Sequence, residues 1–113
     1  MSPRYVPGRG DIVWLQFDPQ AGQEQAGHRP ALVVSPKAYN RKVGLALFCP
    51  ITSRVKGYPF EVVLPTGSPA SGAILSDQVK SLDWRVRQAR RICAAPVDVV
   101  ENVLAKLLTL VSG

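Results

Sequence analysis

A mainly β fold, a compact barrel or sandwich with one amphipathic helix at its C-terminal end, is what this 113-residue sequence predicts. Three observations carry the expectation. Short runs of Ile, Val, Leu and Phe recur between residues 11 and 94, and Gly, Pro, Asp or Ser interrupts them every few residues, the spacing of short strands joined by turns. A sustained helical period appears only after Pro96. Finally, 113 residues with 46% hydrophobic and 19% charged content suit one soluble core, so a single domain over residues 1–113 is expected.

Residues 1–10 hold two prolines and two glycines and read as an irregular lead-in. Residues 11–17 follow as a strand whose apolar positions barely alternate, so both faces should be covered, with Trp14 and Phe17 in the core. Residues 17–36 read as a loop ending in a short β-branched run, 31–35, stopped by Pro36. A turn of helix or irregular chain is expected over 37–42, broken by Gly44. Strands are expected at 45–51, where Pro50 suits an edge or a strand end, and at 60–64, with Glu61 outward. Residues 52–59 form a basic loop, and 65–72, with two prolines, two glycines and two serines, a surface turn. Further strands are expected at 73–75, 79–82 and 86–94, interrupted by Asp77 with Gln78 and by Asp83 with Trp84. Pro96 suits a first helical position, and Val97, Val100, Val103, Leu104, Leu107, Leu110 and Val111 recur at helical spacing behind it. This helix either closes the barrel or meets a second subunit.

Fourteen Lys and Arg against eight Asp and Glu leave a charge of +6, which favours a polyanionic partner (nucleic acid, an acidic protein or a membrane surface) and also aids solubility. Cys49 and Cys93 sit apart in apolar segments, outside any Cys-x-x-Cys pair, as buried thiols of a reducing compartment would. One histidine and no ligand spacing exclude a zinc set. No signal-like or membrane-spanning run is present, so a cytoplasmic protein is expected, with no membrane partner. If 86–94 is a strand, Arg85, Arg87 and Arg91 project to one face and Arg90 to the other. The loop before Pro30 places His28, Glu24 and Arg29 together, where a polar surface loop is the plain reading and a site the sharper one.

Two segments are specific. Glu24, Gln25, Ala26, Gly27, His28, Arg29, Pro30 is one; Lys56, Gly57, Tyr58, Pro59, Phe60, Glu61, Val62 is the other. With the stretch from Gly10 to Pro19 and the stretch from Asp77 to Ser81, they make the chain resemble, essentially end to end, the MazF/PemK family of toxin endoribonucleases from bacterial toxin-antitoxin pairs. The resemblance implies a small SH3-like barrel with a C-terminal helix, a homodimer, and cleavage of single-stranded RNA at short motifs without metal or other cofactor. It also implies a cognate antitoxin whose acidic C-terminal tail covers the RNA groove.

Cutting RNA without a metal employs the adjacent 2′-hydroxyl as nucleophile and leaves a 2′,3′-cyclic phosphate and a 5′-hydroxyl. It needs a base, an acid and donors for the charge on the phosphorane. One His28 per subunit cannot divide acid and base roles alone. Arg29 matches the family's catalytic arginine and offers a planar fork of donors. Thr52 matches its threonine, and Glu24 a loop glutamate that is either the base or an orienter of Arg29. His28, Phe17 and Gln78 are candidates to meet bases, and Lys56 and Lys80 to meet backbone phosphates. Asp77 is also a candidate RNA contact, but it lacks an arginine that one branch of the family has two residues earlier, since Leu75 stands there; the burden then falls on Arg29, and Asp77 could serve only to cap a turn or position Gln78. Two other functions fit a basic β fold: a non-enzymatic toxin resembling CcdB, and a nucleic-acid-binding barrel.

Overall fold

β1 (Asp11–Gln16) and β2 (His28–Val33) pair antiparallel, with Ile12 opposite Leu32 and Gln16 opposite His28. The computed structural model describes residues 5–17 and 28–112, and these two strands begin its sheet. The remaining elements are α1 (Lys37–Val43), β3 (Leu45–Thr52), β4 (Glu61–Val63), β5 (Ala73–Leu75), a 3-10 turn at Ser76–Gln78, β6 (Lys80–Asp83), β7 (Arg90–Ala94) and α2 (Val97–Val111). The seven strands of the described residues join one antiparallel sheet in the order β4-β5-β3-β2-β1-β7, with β6 also on β3.

β3 is the strand the others depend on. It bonds β6 through Leu45–Phe48, β2 through Phe48–Pro50, and β5 through Ile51 and Thr52. Pro50 is therefore in a central strand rather than at an edge. Its missing N–H falls at the step where β3 has left β6 and not yet met β5.

The poor alternation in β1 has a direct cause, because both faces are covered. Ile12, Leu32, Cys49 and Ile51 belong to one core cluster, while Val13, Leu15, Ala31, Val33 and Phe48 belong to the other. α2 covers the first, burying Val99 and Val103 and packing Val100, Leu104 and Leu107. The expected stripe is thus shifted: Val97, Leu110 and Val111 are exposed, and Pro96 is the N-cap, one position before the helix. Trp84 fills the second cluster, and its indole N–H donates to the Asn40 carbonyl at 3.0 Å. Buried Asn40 also bonds Ser35 and the Pro7 carbonyl, tying α1 to the N-terminal segment.

Three further expectations change. The strand expected at 86–94 starts only at Arg90, because the Asp83 carboxylate accepts from the Arg85 and Val86 amides and turns residues 84–88 back, with Gln88 at φ 57°. No alternation of Arg85 and Arg87 along a strand exists. His28 and Arg29, expected in a loop, open β2 instead. Cys49 is buried, with its thiol pushed up to about 12 by burial and the nearby Asp77 charge, whereas Cys93 is only half-buried.

Candidate active site

The β2–β3 register sets Leu32 opposite Cys49 and Ala31 opposite Pro50, and Arg29 and Thr52 lie two residues beyond that last pair on their respective strands. Both side chains border one cleft of about 720 Å³, together with Trp14, Pro30, Arg54 and the turn Pro69–Ser71. Among the described residues, the charged groups of this cleft are Arg29 and Arg54, so it is electropositive. Its size suits a phosphodiester with parts of two nucleosides.

One hydrogen bond and one close backbone approach fix Thr52. Its hydroxyl oxygen accepts from the Arg54 amide at 3.1 Å, which leaves the hydroxyl hydrogen to donate elsewhere. Behind it, Gly72 adopts φ 114°, and a Cβ there would stand 2.0 Å from the Thr52 carbonyl oxygen. Only glycine allows that approach. The surface turn expected at 65–72 is consequently a wall of the cleft.

A second basin, of about 410 Å³, shares Thr52 and Arg54 with the cleft and is bordered by Lys56, Tyr58, Glu61, Asp77 and Gln78. Glu61 does not simply face solvent, because its carboxylate accepts from the Gly57 amide at 2.9 Å and from the Lys56 amide at 3.1 Å. Gly57 takes φ 78°, closing the turn those bonds stabilise. Tyr58 donates its hydroxyl to Asp77 Oδ2 at 2.7 Å, and that bond raises the Tyr58 hydroxyl above its ordinary value. Asp77 therefore has a tyrosine partner in place of the arginine that Leu75 replaces. From behind, the Lys106 ammonium of α2 donates to the Pro59 carbonyl at 2.7 Å.

The other expected residues divide between these regions and the margin. His28 stacks on Trp14, ring centroids 6.0 Å apart and planes within 10°. This is a diagonal cross-strand pair, since Gln16 is opposite His28 and Trp14 opposite Pro30. Lys80 lies over the Phe17 ring at 5.9 Å, and neither residue borders the cleft or the basin. Phe17 packs only partly against the second core cluster. Glu24 lies outside the described residues. Among the described residues, no three of His, Cys, Asp and Glu gather as a metal site would require.

Sequence reasoning missed several of the residues that shape these spaces. Trp14 is half-buried and borders the cleft rather than filling the core. Arg54, Tyr58 and Gly72 gain their roles from contacts across the fold that no local pattern signals.

A family model described as the PemK-like, MazF-like toxin of type II toxin-antitoxin systems matches residues 8–111. The chain is 49% identical over 111 residues to the endoribonuclease toxin MazF of Escherichia coli K12, covering 98% of this chain and 99% of that protein. It is 40% identical to the endoribonuclease toxin ChpB of the same strain, over 91% of this chain and 92% of that one. A crystal structure of MazF from Deinococcus radiodurans superposes with a TM-score of 0.88 at 55% identity, covering 97% of this chain and all (100%) of that chain. A MazE-MazF crystal structure from the same organism matches with a TM-score of 0.85 at 50% identity, covering 95% and 96%. The sheet order, the C-terminal helix and a match spanning nearly the whole sequence agree: this chain belongs to the PemK-like, MazF-like toxins of type II toxin-antitoxin systems.

Proposed function

We propose that this chain is an endoribonuclease toxin that cuts single-stranded RNA in the cleft between Arg29 and Thr52. The observation that carries the mechanism is their shared cleft, bordered by Arg29 from β2 and by Thr52 from the end of the adjacent strand β3. Arg29 and Arg54 supply fixed positive charge where a phosphorane would develop its negative charge, and the Thr52 hydroxyl donates to a non-bridging oxygen. The neighbouring 2′-hydroxyl gives up its proton and attacks phosphorus, the bond to the 5′-oxygen breaks, and that oxygen takes up a proton from a general acid or solvent, leaving a 2′,3′-cyclic phosphate and a 5′-hydroxyl. Glu24 is the candidate for taking the 2′-hydroxyl proton, or for orienting Arg29. No metal enters these steps.

The basin beyond Arg54 continues the RNA path, with Lys56 for backbone phosphate and Gln78 for a base edge. His28, Phe17 and Lys80, which border neither space, are further candidates for RNA contact. A net charge of +6 also suits an antitoxin that occupies the same positive surface with an acidic C-terminal tail, as a homodimer would present it twice. The similar crystal structure of MazE-MazF from Deinococcus radiodurans supports that kind of partner.

Purified protein incubated with a long single-stranded RNA in EDTA tests the proposal. Cleavage is expected, with cyclic-phosphate and 5′-hydroxyl ends, and Arg29→Ala is expected to reduce it by about a hundredfold or more while the protein remains folded. Cleavage that depends on added magnesium, or that survives Arg29→Ala, contradicts the assignment.

A further inference from the structure

α1 carries three cations and no acid, on the side of the sheet away from the cleft. Its Asn40 carbonyl accepts from the indole N–H of Trp84, which belongs to the second core cluster, whereas Ile51, Ala70 and Ile92 of the cleft wall belong to or pack on the first. α1 also precedes the Leu45 end of β3, while Thr52 closes the other end, about 23 Å along the strand.

Helix stability does not account for this charge. Arg41 and Lys42 in the last turn complement the helix macrodipole, but Lys37 opens the helix, where a cation is unfavourable, and no acid in the first turn offsets it. Lys37, Arg41 and Lys42 are all exposed, and the ion pair seen among the described residues, Arg91 with Asp11, involves none of them. Asp83, the acid opposite Leu45 in the sheet, is turned to the Arg85 and Val86 amides.

The surface has shape as well as charge. Lys37 and Arg41, four residues apart, share a helix face, and Tyr39, 42% exposed, neighbours Lys42 at a spacing of three. Arg85 lies over the Trp84 ring, 4.9 Å from its centroid, so a fourth cation adjoins α1 through the tryptophan that bonds Asn40. Several cations beside an exposed aromatic ring suit the backbone of a single strand with a base to stack.

We propose that α1 and Arg85 form a second RNA-contact surface, which grips the sugar-phosphate backbone of a strand at a distance from the cut and anchors long RNAs for the cleft. The proposal rests on RNA as the ligand of the cleft and is independent of the cleavage chemistry. Because phosphate contacts carry no sequence information, this surface adds affinity without altering which site is cut.

The test compares two RNAs sharing one mapped site, each made uncleavable by 2′-deoxyribose at the scissile position: one of about 8 nucleotides, confined to the cleft and its margin, and one several times longer. Fluorescence anisotropy is expected to show the wild-type protein binding the longer strand at least about tenfold more tightly. Lys37→Gln, Arg41→Gln and Lys42→Gln combined should remove most of that advantage, lower the log-log salt slope for the longer strand by about 2, and leave affinity for the shorter strand within about twofold. All three positions are exposed and glutamine suits a helix, so melting should be unchanged. Lys37→Arg with Lys42→Arg keeps the charge and should keep the advantage. Arg85→Gln, outside the helix, should lose about threefold on the longer strand, so the result does not hang on one variant. Equal binding of both strands by the wild-type protein overturns the proposal, as does an advantage that the glutamine variant retains. A loss of the same size on both strands is a bulk charge effect and overturns it as well. If the glutamine variant loses poly-L-glutamate binding but keeps its grip on the longer RNA, the surface belongs to an acidic protein and the proposal falls. A wild-type protein that holds the longer strand through these residues but does not bind the shorter one overturns the cleft reading alone.

Discussion

Arg29 on β2 and Thr52 at the end of β3 border the same cleft, and the smallest changes with the clearest consequences lie around them. Thr52→Ala removes the donor without disturbing the β3–β5 pairing, so cleavage should fall about tenfold or more in kcat while RNA affinity changes little. Single-turnover rates against binding to an RNA lacking the reactive 2′-hydroxyl separate the two. Gly72→Ala acts on the same residue from behind. Its methyl group has no room against the Thr52 carbonyl and its φ is unfavourable for alanine, so a loss of about 1–3 kcal/mol in denaturant unfolding is expected, with weaker cleavage beyond it. Arg29 and Thr52 were legible in the sequence only through family motifs. No local rule marks a threonine at a strand end as more than a turn former, and nothing near Gly72 announces that its neighbour in space is Thr52.

At the scale of elements, apolar runs punctuated by Gly and Pro located the strands well, because a strand covered on both faces needs little beyond continuous apolar character. Errors arose where side chains intervened. Asp83 captures two backbone amides and converts an apparent strand into a turn, and Pro50 sits in the middle of the sheet because its missing donor coincides with a change of partner. α2 shows the same limit, since helical spacing is satisfied by two overlapping stripes and packing selects the one through Val99 and Val103. Truncating fully buried Val103 to alanine should cost about 2 kcal/mol in unfolding free energy. The exposed Lys106 bond to Pro59 is worth far less to stability, yet it braces the loop that presents Lys56 and Tyr58. Lys106→Met should therefore leave melting nearly unchanged and raise KM for RNA about two- to threefold.

Over the whole molecule, charge and burial set the response to solution conditions. RNA affinity should fall with salt at a log-log slope of roughly −0.7 for each phosphate neutralised, and a slope near zero would contradict a cationic groove. Stability should fall on the alkaline side. The folded state raises the Cys49 thiol from 9.0 to about 12, so it keeps a proton that the unfolded chain releases; that contribution is complete below pH 9 and is lost as pH climbs toward 12. Tyr5 and Tyr58, both raised, act in the same direction. Denaturant unfolding at pH 7 and pH 10 measures the loss, and Cys49→Ala should flatten it.

The proposed cleavage depends on one cleft holding a single phosphodiester against Arg29 and Thr52, the two residues that border it from β2 and β3, while its own sugar attacks. Replacing the ribose 5′ to a mapped scissile phosphate by 2′-deoxyribose tests that most directly. The deoxy-substituted RNA should bind about as tightly as the all-ribose strand and yield no product at that position. Cutting at that position without the 2′-hydroxyl, leaving a 5′-phosphate, would contradict the account.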